Sequence, residues 1–164
     1  MSRPRSIPDD KILGIALALV EAGGERAATF SAVAEQSGLA ASSLVQRYKS
    51  RDGMVTAAVA MRWRSLLAGA QGAAAKGKGA AGLLKALDAP HPDLLTLSLR
   101  DPGLRAQAAD WREAVVAALT LRLGGKAARD QAEQLFATWQ GQAMWRAMGG
   151  KGFRLKAAAK GLSG

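Results

Sequence analysis

The stretch from Thr29 to Met54, TFSAVAEQSGLAASSLVQRYKSRDGM, constrains the fold more than any other part of the chain. Thr29 is a strong helix cap, because its hydroxyl can accept one of the first free backbone N–H groups. Phe30, Val33 and Ala34 then fall at helical spacing. Gly38 stops this short helix, since glycine readily takes the left-handed backbone that follows a helix. A second short helix is predicted from about Ala40 to Tyr48, with Leu44 and Val45 as its apolar anchors. Ser50 can cap a much longer helix starting near Arg51. Two short helices about a glycine turn form a helix-turn-helix, and small polar residues on the second let it approach base edges in a major groove.

The rest of the chain also reads as helix. Nearly half the residues are apolar (49%), many of them alanine, and no alternating run of strand length stands out. The expected fold is all-α: an N-terminal three-helix unit containing the helix-turn-helix, joined by a long helix to a larger all-helical body. The first helix is predicted to start at Asp9 or Asp10 as cap, to use Ile12, Ile15, Ala16, Leu19 and Val20 inward, and to end at Gly23-Gly24. The long fourth helix passes Val55, Val59, Trp63 and Leu66-Leu67. Fraying or a loop is expected in the Ala/Gly/Lys run from Gly69 to Gly82. Short helices follow at Leu83–Leu87 and Asp93–Leu99. Asp101-Pro102 starts a further helix, with Leu104, Ala108, Trp111, Val115 and Ala118 on one face and Gly124-Gly125 at its end. The last helix is predicted from Lys126 to Met148.

Composition excludes several chemistries. Without cysteine there are no disulfides, thiolate nucleophiles or cysteine-held metals. The one histidine, His91, lies between Pro90 and Pro92 and reads as a loop residue, so no catalytic or metal residues and no cofactor are expected. Paired carboxylates and a phosphate-cradling glycine loop are also missing, so an enzyme is not expected. No signal-peptide core or membrane-length apolar run is present, and the expected location is the cytoplasm with no membrane partner. The formal net charge of +10 favours an anionic partner. It does not locate one, because residues 1–56 hold seven cations against six acids. The local pattern is sharper: Ser42 to Arg51 has three cations and no acid. The tail from Lys151 to Gly164 has four cations and no acid; it reads as a flexible, solvated end, with an accessory DNA arm as the competing expectation.

The helix-turn-helix segment resembles the tetracycline-repressor (TetR) family of bacterial transcription regulators. That family's pattern is a threonine, an aliphatic-alanine pair, a glycine turn, a leucine on the next helix, an aromatic, and a serine followed by a cation. Thr29, Val33-Ala34, Gly38-Leu39, Leu44, Tyr48 and Ser50-Arg51 take those places in order. The likeness covers Ile12 to about Val55. The usual serine after the turn is Ala40, which deprives the second helix of its expected cap, and Val45 and Arg47 stand where aromatics are usual. A phosphate contact made elsewhere through a tyrosine hydroxyl would therefore pass to Arg47 or Tyr48.

The resemblance implies a double-stranded DNA operator as partner and divides the chain into a DNA-binding domain (1–56) and an effector-binding and dimerisation domain (57–164), with the basic tail at 150–164. Thr29, Tyr48 and Arg51 would position the DNA backbone; Ser31, Ala41, Ser42, Ser43 and Gln46 would meet bases or sugars, with Arg47 and Lys49 beside them. It also implies a homodimer through 102–123 and 126–148, reading a near-palindromic operator. An apolar small-molecule effector would release the repressor, and Trp111, Trp139, Met144 and Trp145 are the candidate lining of its pocket. On the last helix, Ala128, Ala132, Leu135, Phe136, Trp139 and Ala143 form one stripe, and Met144, Trp145 and Met148 fall off it, so cover is expected on more than one side. The competing expectation is a protein of the same fold that carries a small apolar or lipid-like molecule and has lost DNA binding, for which Ala40 and Val45 speak.

Overall fold

The computed structural model describes residues 7–76, 79–146 and 148–150. Its regular elements are all helical: α1 (Asp9–Gly23), α2 (Phe30–Ser37), α3 (Ala41–Tyr48), α4 (Arg51–Lys76), α5 (Gly79–Lys85), α6 (Pro92–Arg100), α7 (Pro102–Leu123) and α8 (Arg129–Arg146), with single tight turns at Glu25–Ala27 and Lys126–Ala128. The basic tail from Lys151 lies outside the described residues.

Local chemistry sets most boundaries. Thr29 Oγ1 accepts from the Ala32 N–H at 3.1 Å, Ser50 Oγ from Gly53 at 2.9 Å, and Asp101 Oδ1 from Leu104 at 2.9 Å. Each satisfies a first-turn donor that has no partner within its own helix. Gly38 ends α2 in the left-handed conformation, with φ at 73°. His91 turns out to cap α6, its Nδ1 accepting from the Asp93 N–H at 3.3 Å.

Two apolar clusters organise the packing. The first joins Ile12, Leu13 and Ala16 of α1 to Val33 of α2, Leu44 of α3, and Met54 and Ala58 of α4. The second joins Val20 to Val55, Val59, Trp63, Leu66 and Ala70 of α4 and to α5–α8. Helix α4 spans both, with 26 residues and a length of roughly 39 Å at 1.5 Å per residue. Met54 and Ala58 point one way; Val55, Val59 and Trp63, each four residues apart, point the other.

The second cluster centres on aromatic rings. Trp111 lies 5.6 Å from both Trp63 and Phe136 and 6.2 Å from Trp139, all tilted. Such pairs add roughly 0.5–1.5 kcal/mol each beyond area burial. The Trp63 indole N–H donates to buried Ser98 Oγ at 2.8 Å, and that hydroxyl donates to the Leu94 carbonyl at 2.6 Å. The bond ties α4 to α6 without leaving a buried polar group unmet.

One expectation is narrowed and three are corrected. Within the Gly69–Gly82 run, where fraying or a loop is expected, α4 passes Gly69 and Gly72 and is described to Lys76, and a separate helix, α5, starts at Gly79. Arg122 on α7 donates to the carbonyls of Ala73 and Ala74, which the end of α4 leaves unpaired, and to that of Gly79 at the start of α5. Neither Asp9 nor Asp10 is the cap residue of α1, which starts after Pro8, although Asp10 Oδ1 accepts from the first-turn Lys11 N–H at 3.0 Å. Val45 is not an apolar anchor, because only Leu44 on α3 is buried and Val45 is 45% exposed. The last helix starts at Arg129 after a separate turn, and its regular part ends at Arg146.

Candidate nucleic-acid interface and body cavity

Helix α3 presents most of its circumference to solvent. Leu44 is buried and Tyr48, one turn on, is half-buried; Ala41, Ser42, Val45, Gln46 and Arg47 are exposed, and Ser43 is half-buried. Ser42, Ser43 and Gln46 make no side-chain hydrogen bond among the described residues. No side chain caps α3 at Ala40, so its first N–H groups are left to water or to a bound partner. Ser31 is exposed on the first turn of α2, whereas the Thr29 hydroxyl is engaged in the cap.

The expected cations divide into one free and two held. Arg47 Nη1 donates to the Ile7 carbonyl and to Asp9 Oδ1, both at 3.0 Å. The same carboxylate oxygen accepts from the Tyr48 hydroxyl at 3.2 Å. Burial pushes the Tyr48 phenol up to about 12, the Asp9 charge and hydrogen bond add to the rise, and Arg47 opposes it. Arg51 donates to Asp52 Oδ1 at 2.7 Å and to Glu25, both the carboxylate at 3.0 Å and the main-chain carbonyl at 3.2 Å. The Asp52 hydrogen bond raises the Arg51 pKa, burial opposes it, and Glu25 adds to the rise. The other oxygen of Glu25 accepts from Arg100 of α6 at 3.2 Å, so one carboxylate bridges the turn after α1, the start of α4 and the end of α6.

Lys49 is the exposed cation of this group with no side-chain partner among the described residues. It has φ at 65°, a region that costs a side chain of order 1–3 kcal/mol. The turn it makes lets α4 start directly under the end of α3, and Gly53 completes that approach. A Cβ at Gly53 would sit 2.5 Å from the Tyr48 carbonyl oxygen.

Sequence reasoning singled out Asp9 only as a cap for α1, and did not single out Glu25 or Gly53. Asp9 lies 38 residues from Arg47 and Glu25 lies 26 from Arg51, so no local spacing reveals either pair. Gly53 had a weak signal, a glycine on the first turn of a capped helix.

In the body, a cavity of about 400 Å³ lies between α4, the segment leading into α6, α7 and α8. Trp63, Trp111, Phe136, Leu95, Pro90 and Met144 supply its apolar wall, and Arg105, Arg112 and Gln140 its polar groups. Of the four candidates, Trp111 and Met144 line it. Trp139 is buried against Trp111 and Phe136 without lining it, and Trp145, 61% exposed, lies outside it. Leu121 and Met148 are also exposed. Among the described residues no cluster of three metal-ligating side chains occurs, and no helix is long and apolar enough to cross a membrane.

No protein-family model and no curated protein sequence matches the chain. A solved structure does: AmtR of Mycobacterium smegmatis, a TetR-family regulator, superposes with a TM-score of 0.57 and 20% identity over 98% of this chain and 86% of that one. At that identity the likeness concerns the fold. The chain has the all-helical TetR-type fold, with its helix-turn-helix at α2–α3.

Proposed function

We propose that the chain is a sequence-specific DNA-binding transcription regulator, acting as a dimeric repressor that a small-molecule effector releases from a near-palindromic operator. The observation that carries this reading is α3: an eight-residue helix anchored by one buried leucine, with Ala41, Ser42, Val45, Gln46 and Arg47 outward and no acid of its own. Ser42, Ser43 and Gln46 offer hydrogen bonds to base edges, Gln46 suits adenine, and Ala41 and Val45 suit a thymine methyl. Lys49 serves the phosphate backbone as a free charge. Ser31 and Thr29 approach the backbone from α2. Arg47, Tyr48 and Arg51 fix the ends of α3 and α4, and reach phosphate only by exchanging a carboxylate for it.

The reading takes 102–123 and 126–148 as the self-association surface, and the exposed Leu121 on α7 and Trp145 on α8 are apolar side chains there that a partner would cover. The Trp63–Ser98 bond ties α6 to α4 within the body and the Glu25 bridge ties α6 to the DNA-binding end, and together they support α4 and α6 as the route from effector to operator. An effector acts only through a difference in affinity between the two arrangements.

The second reading, a small-molecule carrier of this fold without DNA binding, is favoured by the commitment of Arg47 and Arg51 to internal carboxylates. Selection of bound duplexes from a random pool decides between them. A recovered site with two-fold symmetry supports the dimeric regulator; recovery of no enriched duplex supports the carrier.

A further inference from the structure

We infer that the body cavity takes a compact apolar monocarboxylate, its apolar part among Trp63, Trp111 and Phe136 and its anionic end toward Arg105. The inference rests on the proposal that the body binds a small effector, and it names the chemistry of that effector. A volume of about 400 Å³ lies within the roughly 300–1,000 Å³ usual for small-molecule sites.

The polar lining is unbalanced toward donors. Trp111 is 2% exposed, and its indole N–H is buried with no acceptor; Gln140 Nε2 is buried and unpartnered as well. Buried donors are nearly always met in folded proteins, and two on one cavity wall call for an acceptor from a bound molecule. Trp63 shows the contrast, since its indole N–H is already taken by Ser98.

Charge points the same way. Arg105 and Arg112 line the cavity, and no aspartate or glutamate does. Arg112 is partly used, with Glu133 at 3.1 Å and the Phe136 ring at 5.8 Å. The Arg105 guanidinium meets no acceptor among the described residues. A neutral apolar ligand would leave these donors unmet, a cation would be repelled by both guanidinium groups, and a carboxylate satisfies them at once.

The test is calorimetric titration of the full chain with 2-naphthylacetate and its neutral amide, and with decanoate and decanamide, which separate an aryl from a chain acid. Either acid is expected to bind at least about tenfold more tightly than its amide, as charge-assisted hydrogen bonds require. Arg105→Gln, on an exposed side chain, should remove most of that preference while leaving amide binding unchanged. Amides binding as well as acids, or a preference untouched by Arg105→Gln, overturns the inference and leaves an effector cavity standing. Failure of all four compounds to bind overturns both the inference and the cavity reading on which it rests.

Discussion

The start of α4, against α3, and the cavity beside its midpoint treat their polar groups in opposite ways. At the α3 end, guanidinium and phenol groups close on carboxylates within the molecule: Arg47 and Tyr48 on Asp9, Arg51 on Asp52 and Glu25. At the cavity, the indole of Trp111, the amide of Gln140 and the guanidinium of Arg105 have no such closure. A surface that meets a large, wet partner spreads its contacts over exposed side chains, and its internal pairs serve to hold the reading helix still. A small ligand is held by few groups, which stay desolvated and unpaired until it arrives. On the proposed function, the difference separates a rigid reading surface from a site awaiting its occupant.

The largest expected effect breaks the first side of the comparison alone. Leu44→Ala removes the buried residue that holds α3, and should cost about 2–5 kcal/mol, because the cavity left behind is only partly refilled. Thermal and denaturant unfolding should show the loss while ligand binding to the body persists at low temperature. Equal loss of both would mean that the two clusters do not separate. Ser98→Ala should cost about 1–3 kcal/mol by leaving the Trp63 N–H buried and unmet, and so test whether an orphan donor is as costly there as the comparison assumes. Gly53→Ala should also destabilise, by about 1–3 kcal/mol, because the Cβ meets main chain at Tyr48, which cannot swing aside. Stabilisation by the usual helical preference for alanine would show that α3 and α4 are free to part.

Lys49→Gly sharpens the division of labour. Relief of the positive φ should raise stability by about 1 kcal/mol, while loss of a cation beside α3 that has no side-chain partner among the described residues weakens DNA binding for all sequences alike. Unchanged DNA affinity would remove Lys49 from the interface. The mildest effect is spectroscopic. Tyr48 is the single tyrosine, so its phenolate absorbance can be followed directly. The midpoint should lie near pH 12 rather than 10, and Asp9→Asn should lower it only part of the way, since burial is the larger cause. The neutral phenol is favoured in the folded chain, so its contribution to stability is full below pH 10 and is lost as pH rises towards 12.

What could be read from the sequence follows from how far apart the deciding residues lie. Thr29, Ser50, Asp101 and Gly38 act on backbone within three or four residues, and each marks a boundary where expected. The resemblance from Thr29 to Arg51 carried the fold for the same reason. Val45 was misjudged because Leu44 and Tyr48, four apart, already fill the inward arc of a helix only eight residues long. The persistence of α4 through its glycines depends on Arg122, some 48 residues on, and the fate of Arg47 on Asp9. Neither dependence leaves a local trace. The cavity was half legible: Trp111 and Met144 line it, but Trp139 faces the core and Trp145 the outside, a distinction of rotation along one helix.

The central claim is that the outward face of α3 reads duplex DNA, and equilibrium binding to a selected duplex over a range of salt concentrations tests it most directly. The account predicts an affinity whose logarithm falls linearly with that of salt, by about 0.9 per phosphate engaged, with Lys49→Ala flattening the slope by about one and Arg51→Ala flattening it less. Binding that is absent, or indifferent to salt, would contradict it.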